Sequence, residues 1–424
     1  MEVVATGKSF RNYLFFWSGQ LFSLLGSMVV HFVIIWYLTI TTESAMVLAL
    51  ANFFYFLPYI AAAPIAGVFS DRWNRKSMII TVDSLQALAT FVLILLFFYN
   101  ITDLWIIFIF IGIRSVFQAF HQPTVNAIIP TMVPKEKLSR INGLNFLFSG
   151  LVQLVAPMVA ATLLVLLSVN KALWIDVITF YIALIPLLFI SIPRVKKKAE
   201  IEMGREESFI HQFKEGFQTL KSVPGMVTLL IFAALLNFLI QPLSVLLSLF
   251  VHSLHGGQEV EYAIVSAGFQ AGLILGAIIT SVKKTWKRKI RITFISIALF
   301  MLGYTILALT PYKGYILMIA ITFFMGFFLP IVNTVYQTIM QTNIPHEKLG
   351  RVSSIDSTLS MVMMPIGALF AGPLAESFGI PFVFIACGIL GIIITLGTYY
   401  LTGVRKLKFN EHFEIEKPLY LEGE

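Results

Sequence analysis

Charge and cysteine are what this 424-residue chain has least of. Only 12% of residues are charged and 58% are hydrophobic, where a soluble domain carries about 25% charged and about 45–50% apolar residues. With a mean hydropathy of +0.86, a soluble globular protein is excluded. A single cysteine, Cys387, lies inside an apolar run, which rules out an intramolecular disulfide and a cysteine-rich metal site. No P-loop, HExxH pattern or metal-spaced His/Cys cluster is found, so neither an ATP-driven pump nor a metalloenzyme is expected, and no cofactor or metal is assigned. Alternating ten-residue strands are also missing, which excludes a membrane β-barrel. The net charge of +8 is no nucleic-acid footprint, because its lysines and arginines sit in the connections between apolar runs.

What is there is a series of long apolar runs. A helical span needs about twenty such residues, and by that measure the sequence predicts twelve: 14–40, 44–69, 78–99, 104–126, 142–168, 172–192, 226–252, 262–282, 292–310, 314–336, 352–377 and 381–403. The first run is longer than a signal-peptide core and lacks a small-x-small cleavage site, so it reads as a retained helix. With both termini on one side, that side holds 27 of the 30 basic residues; only Lys171 and Lys313 fall opposite, and Arg114 lies within a span. The positive-inside rule makes the rich side cytoplasmic.

The chain divides into residues 1–192, a linker 193–225, residues 226–403 and a tail 404–424. In the linker, Phe209, Ile210, Phe213, Phe217 and Leu220 recur at helical spacing among Lys214, Glu215 and Lys221, the pattern of an amphipathic helix on a membrane surface. The two large parts repeat each other. Phe120-His121-Gln122-Pro123-Thr124-Val125-Asn126 matches Phe327-Phe328-Leu329-Pro330-Ile331-Val332-Asn333, and Pro134 to Arg140 matches Pro345 to Arg351. Both matches fall at the same places in spans 4 and 10, which describes a duplicated six-span unit.

Between spans 2 and 3 stands Gly67-Val68-Phe69-Ser70-Asp71-Arg72-Trp73-Asn74-Arg75-Lys76-Ser77. This stretch resembles the loop signature of the major facilitator superfamily: a glycine, then Asp-Arg, then Arg-Lys. The resemblance covers nearly the whole chain. Within the superfamily the chain is similar to the macrolide-efflux type of Gram-positive bacteria, on Ser44-Ala45-Met46-Val47-Leu48, Arg114-Ser115, Ala119-Phe120-His121, Asn126-Ala127 and Leu349-Gly350-Arg351-Val352. It implies an all-α polytopic membrane protein of twelve transmembrane helices in two pseudo-symmetric six-helix halves. It also implies a gating loop formed by Gly67, Asp71, Arg72, Arg75 and Lys76, with Asp71 near the start of span 11. A lone positive-inside anchor is the plainer alternative. The corresponding loop 283–289 has no acid at the place of Asp71, so its cations are assigned to topology rather than gating.

Arg114 is the one cation deep in a span, a costly placement whose default reading is function. It resembles the arginine of the family's span-4 signature, linked to proton exchange, although Phe117 stands where the family has glutamine. The alternative is an arginine that ties spans 1, 2 and 4 together through backbone carbonyls. Asp83, His121 and His31 are the other proton-coupling candidates: Asp83 by depth, the histidines because imidazole titrates near neutrality. Asp83 has pairing with Arg72 or Arg75 as its alternative. Asp176 and Glu376 read as interfacial, and Asp356 opens span 11. In span 5, Ala156-Pro157-Met158-Val159-Ala160-Ala161 resembles the antiporter signature with alanine for each glycine. Ala156, Pro157, Ala160 and Ala161 then form either a tight contact that reshapes during transport or ordinary small-residue packing.

In this fold spans 1, 4, 7 and 10 line the cavity, which makes Trp17, Gln20, Phe117, Gln118, Phe120, Asn126, Asn237, Gln241, Asn333, Tyr336 and Gln337 the cavity candidates. Aromatic walls with a few hydrogen-bonding groups suit a bulky amphiphile. The expectation is a monomeric, non-enzymatic exporter of macrolide-like drugs in the bacterial plasma membrane, working by proton antiport with both termini cytoplasmic. Export of a siderophore or lysolipid, nutrient symport, and a scaffold without turnover are the alternatives.

Overall fold

The computed structural model describes residues 7–192, 209–283, 288–402 and 404, with the side chains of Lys8, Asp71, Arg72, 209–213 and His346 left aside. Twelve helices are long and apolar enough to cross a membrane: Ser9–Thr42, Ala45–Ser70, Arg75–Phe98, Leu104–Met132, Lys135–Leu166, Val169–Phe189, Met226–Leu254, Glu259–Val282, Lys289–Ala308, Tyr315–Asn343, Glu347–Phe378 and Ile380–Leu401. They match the twelve expected runs and are called spans 1 to 12. Lipid offers no partner for a bare backbone, so each apolar run closes its own hydrogen bonds as a helix.

Local chemistry marks the ends. The Asn74 side chain accepts hydrogen bonds from the backbone N–H of Lys76 at 3.0 Å and of Ser77 at 3.4 Å, which starts span 3. Ser44 caps span 2 in the same way through Val47 N–H. Gly379 takes φ 83°, a backbone shape that favours glycine, and turns the chain from span 11 into span 12.

Helix pairings repeat with an offset of six. Span 2 packs on span 4 as span 8 packs on span 10, span 1 on span 5 as span 7 on span 11, and span 3 on span 4 as span 9 on span 10. Across the two halves, span 2 meets span 11 and span 5 meets span 8, which are again equivalents. The tightest pairing is between spans 8 and 10. A Cβ added to Gly272 or Gly276 would overlap the carbonyls of Phe323 or Phe327, and one on Gly326 would overlap that of Phe269. Glycine at four-residue intervals permits this backbone approach.

Call the side with the loops after spans 2, 4, 8 and 10 the basic face. Polar contacts between the halves lie from mid-span to the opposite face. Glu376 accepts from Ser44 Oγ at 2.8 Å and from Met46 N–H at 3.1 Å, so a carboxylate at the far end of span 11 caps the start of span 2. Thr39 donates to Ser248 at 2.9 Å, and Phe32 and Trp36 stack on Tyr262. Gln270 donates to Gln153 at 3.4 Å lower down.

The linker helix, Phe209–Ser222, forms as its periodicity predicts. It is seated on protein rather than on lipid alone. Leu220 is buried, a Cβ at Gly216 would stand 3.4 Å from the Arg351 backbone, and Glu215 pairs with Arg351.

Candidate functional site: a polar ladder between spans 3 and 4

Asp83, Gln86 and Thr90 stand at i, i+3 and i+7 on span 3. Arg114, Gln118 and His121 stand at i, i+4 and i+7 on span 4. Both spacings put three side chains on one helix face, and the two stripes face each other. The halves of the ladder are about 10 Å apart along the helix axis, seven residues at about 1.5 Å each.

The upper rung is an ion pair. Arg114 Nη1 lies 2.6 Å from Asp176 Oδ2, with the two side chains 11% and 7% exposed. Arg114 also donates to Thr90 Oγ1 and, at 3.5 Å, to the Gln86 carbonyl. Thr90 Oγ1 lies 2.5 Å from Asp176 Oδ2, and Ser27 donates to Asp176 Oδ1 at 3.4 Å. Four spans thus converge on one carboxylate. Asp176 is therefore not interfacial: it stands near the end of its span, as the sequence suggests, but it is turned inward and buried. Arg114 binds spans 3, 4 and 6 through side chains, not spans 1, 2 and 4 through carbonyls alone.

The lower rung is different in kind. His121 Nε2 lies 2.7 Å from Gln20 Oε1 and 3.4 Å from Asp83 Oδ1. Asp83 is 5% exposed, and its Oδ2, His121 Nδ1 and Gln20 Nε2 are buried without a hydrogen-bond partner. No fixed cation reaches this carboxylate among the described residues; the pairing with Arg75 is not formed. Gln86 donates to Gln118 at 3.5 Å between the rungs.

Beside the ladder is a cavity of about 200 Å³ lined by Ser27, His31, Asn52, Tyr55, Gln118 and Arg114, with Ser244 from the other half. His31 faces it, tilted against Tyr55 at 5.6 Å. A second cavity of about 200 Å³ lies within spans 7, 9, 10 and 11 and includes Asn237, Asn333, Tyr336 and Gln337. Gln118 lines the first of these cavities and the other four line the second. The other cavity candidates are not among the residues lining either space. Gln20 is buried against His121, and Gln241 is buried beside Gly367. Trp17 packs edge-on against Phe148 and Phe120 against Phe69. Phe117 is half-buried and Asn126 exposed. A face-by-face assignment of spans 1 and 4 needs their rotation, which the span alone does not specify.

At the basic face, Arg75 donates to the Ala127 carbonyl at 2.7 Å, and Lys76 Nζ to those of Leu188 and Ile190 at 3.2 and 2.8 Å. The last carbonyls of span 6 lack helical partners, and a cation there satisfies them. The expected placement of Asp71 and Arg72 concerns side chains outside those described, as do Lys284–Lys287 and the tail from 405. A Cβ at Gly67 would meet nothing within 4 Å. In span 5, Ala156, Ala160 and Ala161 are fully buried and Pro157 lies inside the helix.

The Major Facilitator Superfamily profile matches residues 16–368 and 287–421. Macrolide efflux protein A of Streptococcus pyogenes is 32% identical over 393 residues, covering 92% of this chain and 96% of that protein. Its counterpart in Enterococcus faecalis is 32% identical over 326 residues, covering 76% of this chain and 99% of the relative. Among solved structures, the nucleoside transporter NupG aligns with a TM-score of 0.73 at 14% identity, over 94% of this chain and 100% of that one; this likeness concerns the fold. Twelve spans, a six-span repeat and a profile match over most of the chain converge, and the protein belongs to the major facilitator superfamily of membrane transporters.

Proposed function

We propose that this transporter exports amphiphilic drugs of the macrolide kind from the bacterial cytoplasm by proton antiport, with both termini cytoplasmic. The similarity to macrolide efflux proteins supports the substrate class, and the charge asymmetry supports the orientation. The observation that carries the coupling is the unlike pair of rungs. Arg114 and Asp176 are in direct contact at 2.6 Å, so each already has its counter-charge. Asp83 and His121 have only each other and Gln20, so together they hold or release one proton.

With the proton bound, the lower rung is an internally matched pair. Without it, a carboxylate stands in a buried site with no cation, a costly state unless the surroundings rearrange or water arrives. The halves then exchange one sealed end for the other. The contacts of Glu376, Thr39 and Trp36 between the halves support a seal at the outer face, with substrate received from the basic, cytoplasmic side. His31, on the cavity wall between the rungs and Tyr55, is placed to pass the proton outward. The loop of Gly67, Asp71, Arg72, Arg75 and Lys76 acts as the gate latch at the cytoplasmic end.

The test is an everted-vesicle assay with a pH-sensitive dye. Adding a macrolide to vesicles that hold an acidic interior should release protons and accumulate drug. Asp83→Asn and His121→Gln should bind drug and move no protons. Drug accumulation that is unchanged when the proton gradient is collapsed refutes antiport.

A further inference from the structure

The cavity inside the second half is bordered by an acid, Asp356, that no cation answers among the described residues. Its walls are Phe232, Phe294, Phe300 and Tyr336, with Asn237 and Asn333 as polar groups. Asp356 of span 11 borders it, and Tyr336 donates to Asp356 Oδ1 at 2.7 Å. Every other acid in the interior or at a seal has a partner: Asp176 has Arg114, Asp83 has His121, Glu376 has the start of span 2, and Glu215 has Arg351 and Lys348. Asp356 forms no ion pair among the described residues, and its only hydrogen bond there is the tyrosine's.

We infer that this cavity is a subsite for the cationic group of an amphiphilic substrate, with Asp356 as its counter-charge. A carboxylate held by a neutral tyrosine keeps its second oxygen for a ligand. The aromatic rings beside it attract a cation through their negative faces and an alkyl group through dispersion. Phe232 and Phe294 are stacked at 5.0 Å and both are buried, so the wall is preformed. At about 200 Å³ the space is smaller than the roughly 300–1,000 Å³ of a drug-sized pocket. It therefore receives the ammonium or onium end of a larger molecule whose body lies elsewhere. Asp356 is ten residues past His346 on span 11, and Tyr336 seven short of Asn343 on span 10. The subsite thus lies toward the basic face. This assignment rests on the proposed export of amphiphiles and narrows it to those carrying positive charge.

The experiment compares two probes of similar shape on the full-length protein in nanodiscs: octyltrimethylammonium, a permanent cation with a small onium end, and octyldimethylphosphine oxide, which is neutral. Erythromycin export from everted vesicles is measured in parallel. Asp356→Asn, nearly isosteric, should weaken octyltrimethylammonium binding by about tenfold or more, the worth of a charged contact, and leave the oxide within about twofold of wild type. Asp356→Glu should restore most of the cation binding. Tyr336→Phe should weaken it less than Asp356→Asn. Equal binding of the cation to wild type and Asp356→Asn overturns the subsite, as does an equal loss of both probes, which marks a structural residue. If erythromycin is exported while either of those holds, export stands and the subsite falls. If wild type exports no amphiphile and binds neither probe, export falls and the subsite with it.

Discussion

The two rungs of the ladder should fail in opposite ways when each is cut. Asp176→Ala leaves the Arg114 guanidinium, 11% exposed, facing Thr90 and one carbonyl at 3.5 Å. Breaking one partner of a buried ion pair costs about 3–5 kcal/mol, because the surviving charge is uncompensated. At about 1.4 kcal/mol per tenfold, that lowers the folded-to-unfolded ratio by roughly a hundredfold to a few thousandfold. Arg114→Ala should cost about as much, since it leaves Asp176 with two hydroxyls. Replacing both by apolar residues of similar volume, Arg114→Met with Asp176→Leu, removes both charges and should come within about 2 kcal/mol of wild type. The assay is the fraction of monodisperse protein in detergent after heating, read for wild type, Arg114→Met, Asp176→Leu and their double, the singles costing about as much as the alanine variants because each leaves one buried charge. A double variant as unstable as the sum of the singles refutes the reasoning, because the two side chains would then be acting independently. The lower rung gives the contrast. Asp83 Oδ2 has no hydrogen-bond partner, so Asp83→Asn should alter stability by less than about 1 kcal/mol. The same variant should abolish drug-driven proton release.

Three further outcomes follow from the packing and the seals. Gly272→Ala places a methyl group against the Phe323 carbonyl and should cost about 1–3 kcal/mol through overpacking, seen as a reduced yield of monodisperse protein, whereas Gly67→Ala, with open space around it, should leave the yield unchanged. Glu376→Ala removes the cap on span 2 and should favour the state open at the opposite face by about 1–2 kcal/mol; a cysteine at Val47 should then label at least several-fold faster with an impermeant maleimide, and unchanged labelling would exclude a sealing role. Glu215→Gln loosens a partly exposed contact worth up to about 1 kcal/mol; amide exchange in Phe209–Ser222 should rise by up to about fivefold, and an unchanged rate would mean that Leu220 and Gly216 hold the linker helix alone.

The candidate site was half legible. Arg114 is conspicuous because a cation inside an apolar run has few bland explanations. His121 is legible as its companion, since i+7 on a helix is the same face. Which groups they would meet in space was not. Asp176 lies 62 residues from Arg114 and Gln20 lies 101 residues from His121, and no local spacing connects them. A signal was nonetheless present in the matching stripes of Asp83, Gln86 and Thr90 against Arg114, Gln118 and His121, because adjacent polar stripes on consecutive spans satisfy each other in lipid. The same holds for Gly268, Gly272 and Gly276, whose four-residue interval announces a close helix contact. Span 5, with its alanines and proline, drew the attention that span 8 warranted.

Sequence alone determined the class, the twelve spans, the six-span repeat and the family. Those follow from one-dimensional quantities: the length of apolar runs set against bilayer thickness, the tally of lysine and arginine by loop, and the recurrence of motifs. Tertiary structure alone decided which acid answers which cation, which cavity candidates face open space, and which side chains join the two halves. Each of these depends on the rotation of a helix about its own axis. Apolar runs leave that angle nearly free, because lipid tails and leucine are equally apolar; close packing against neighbours and the few buried polar groups then set it.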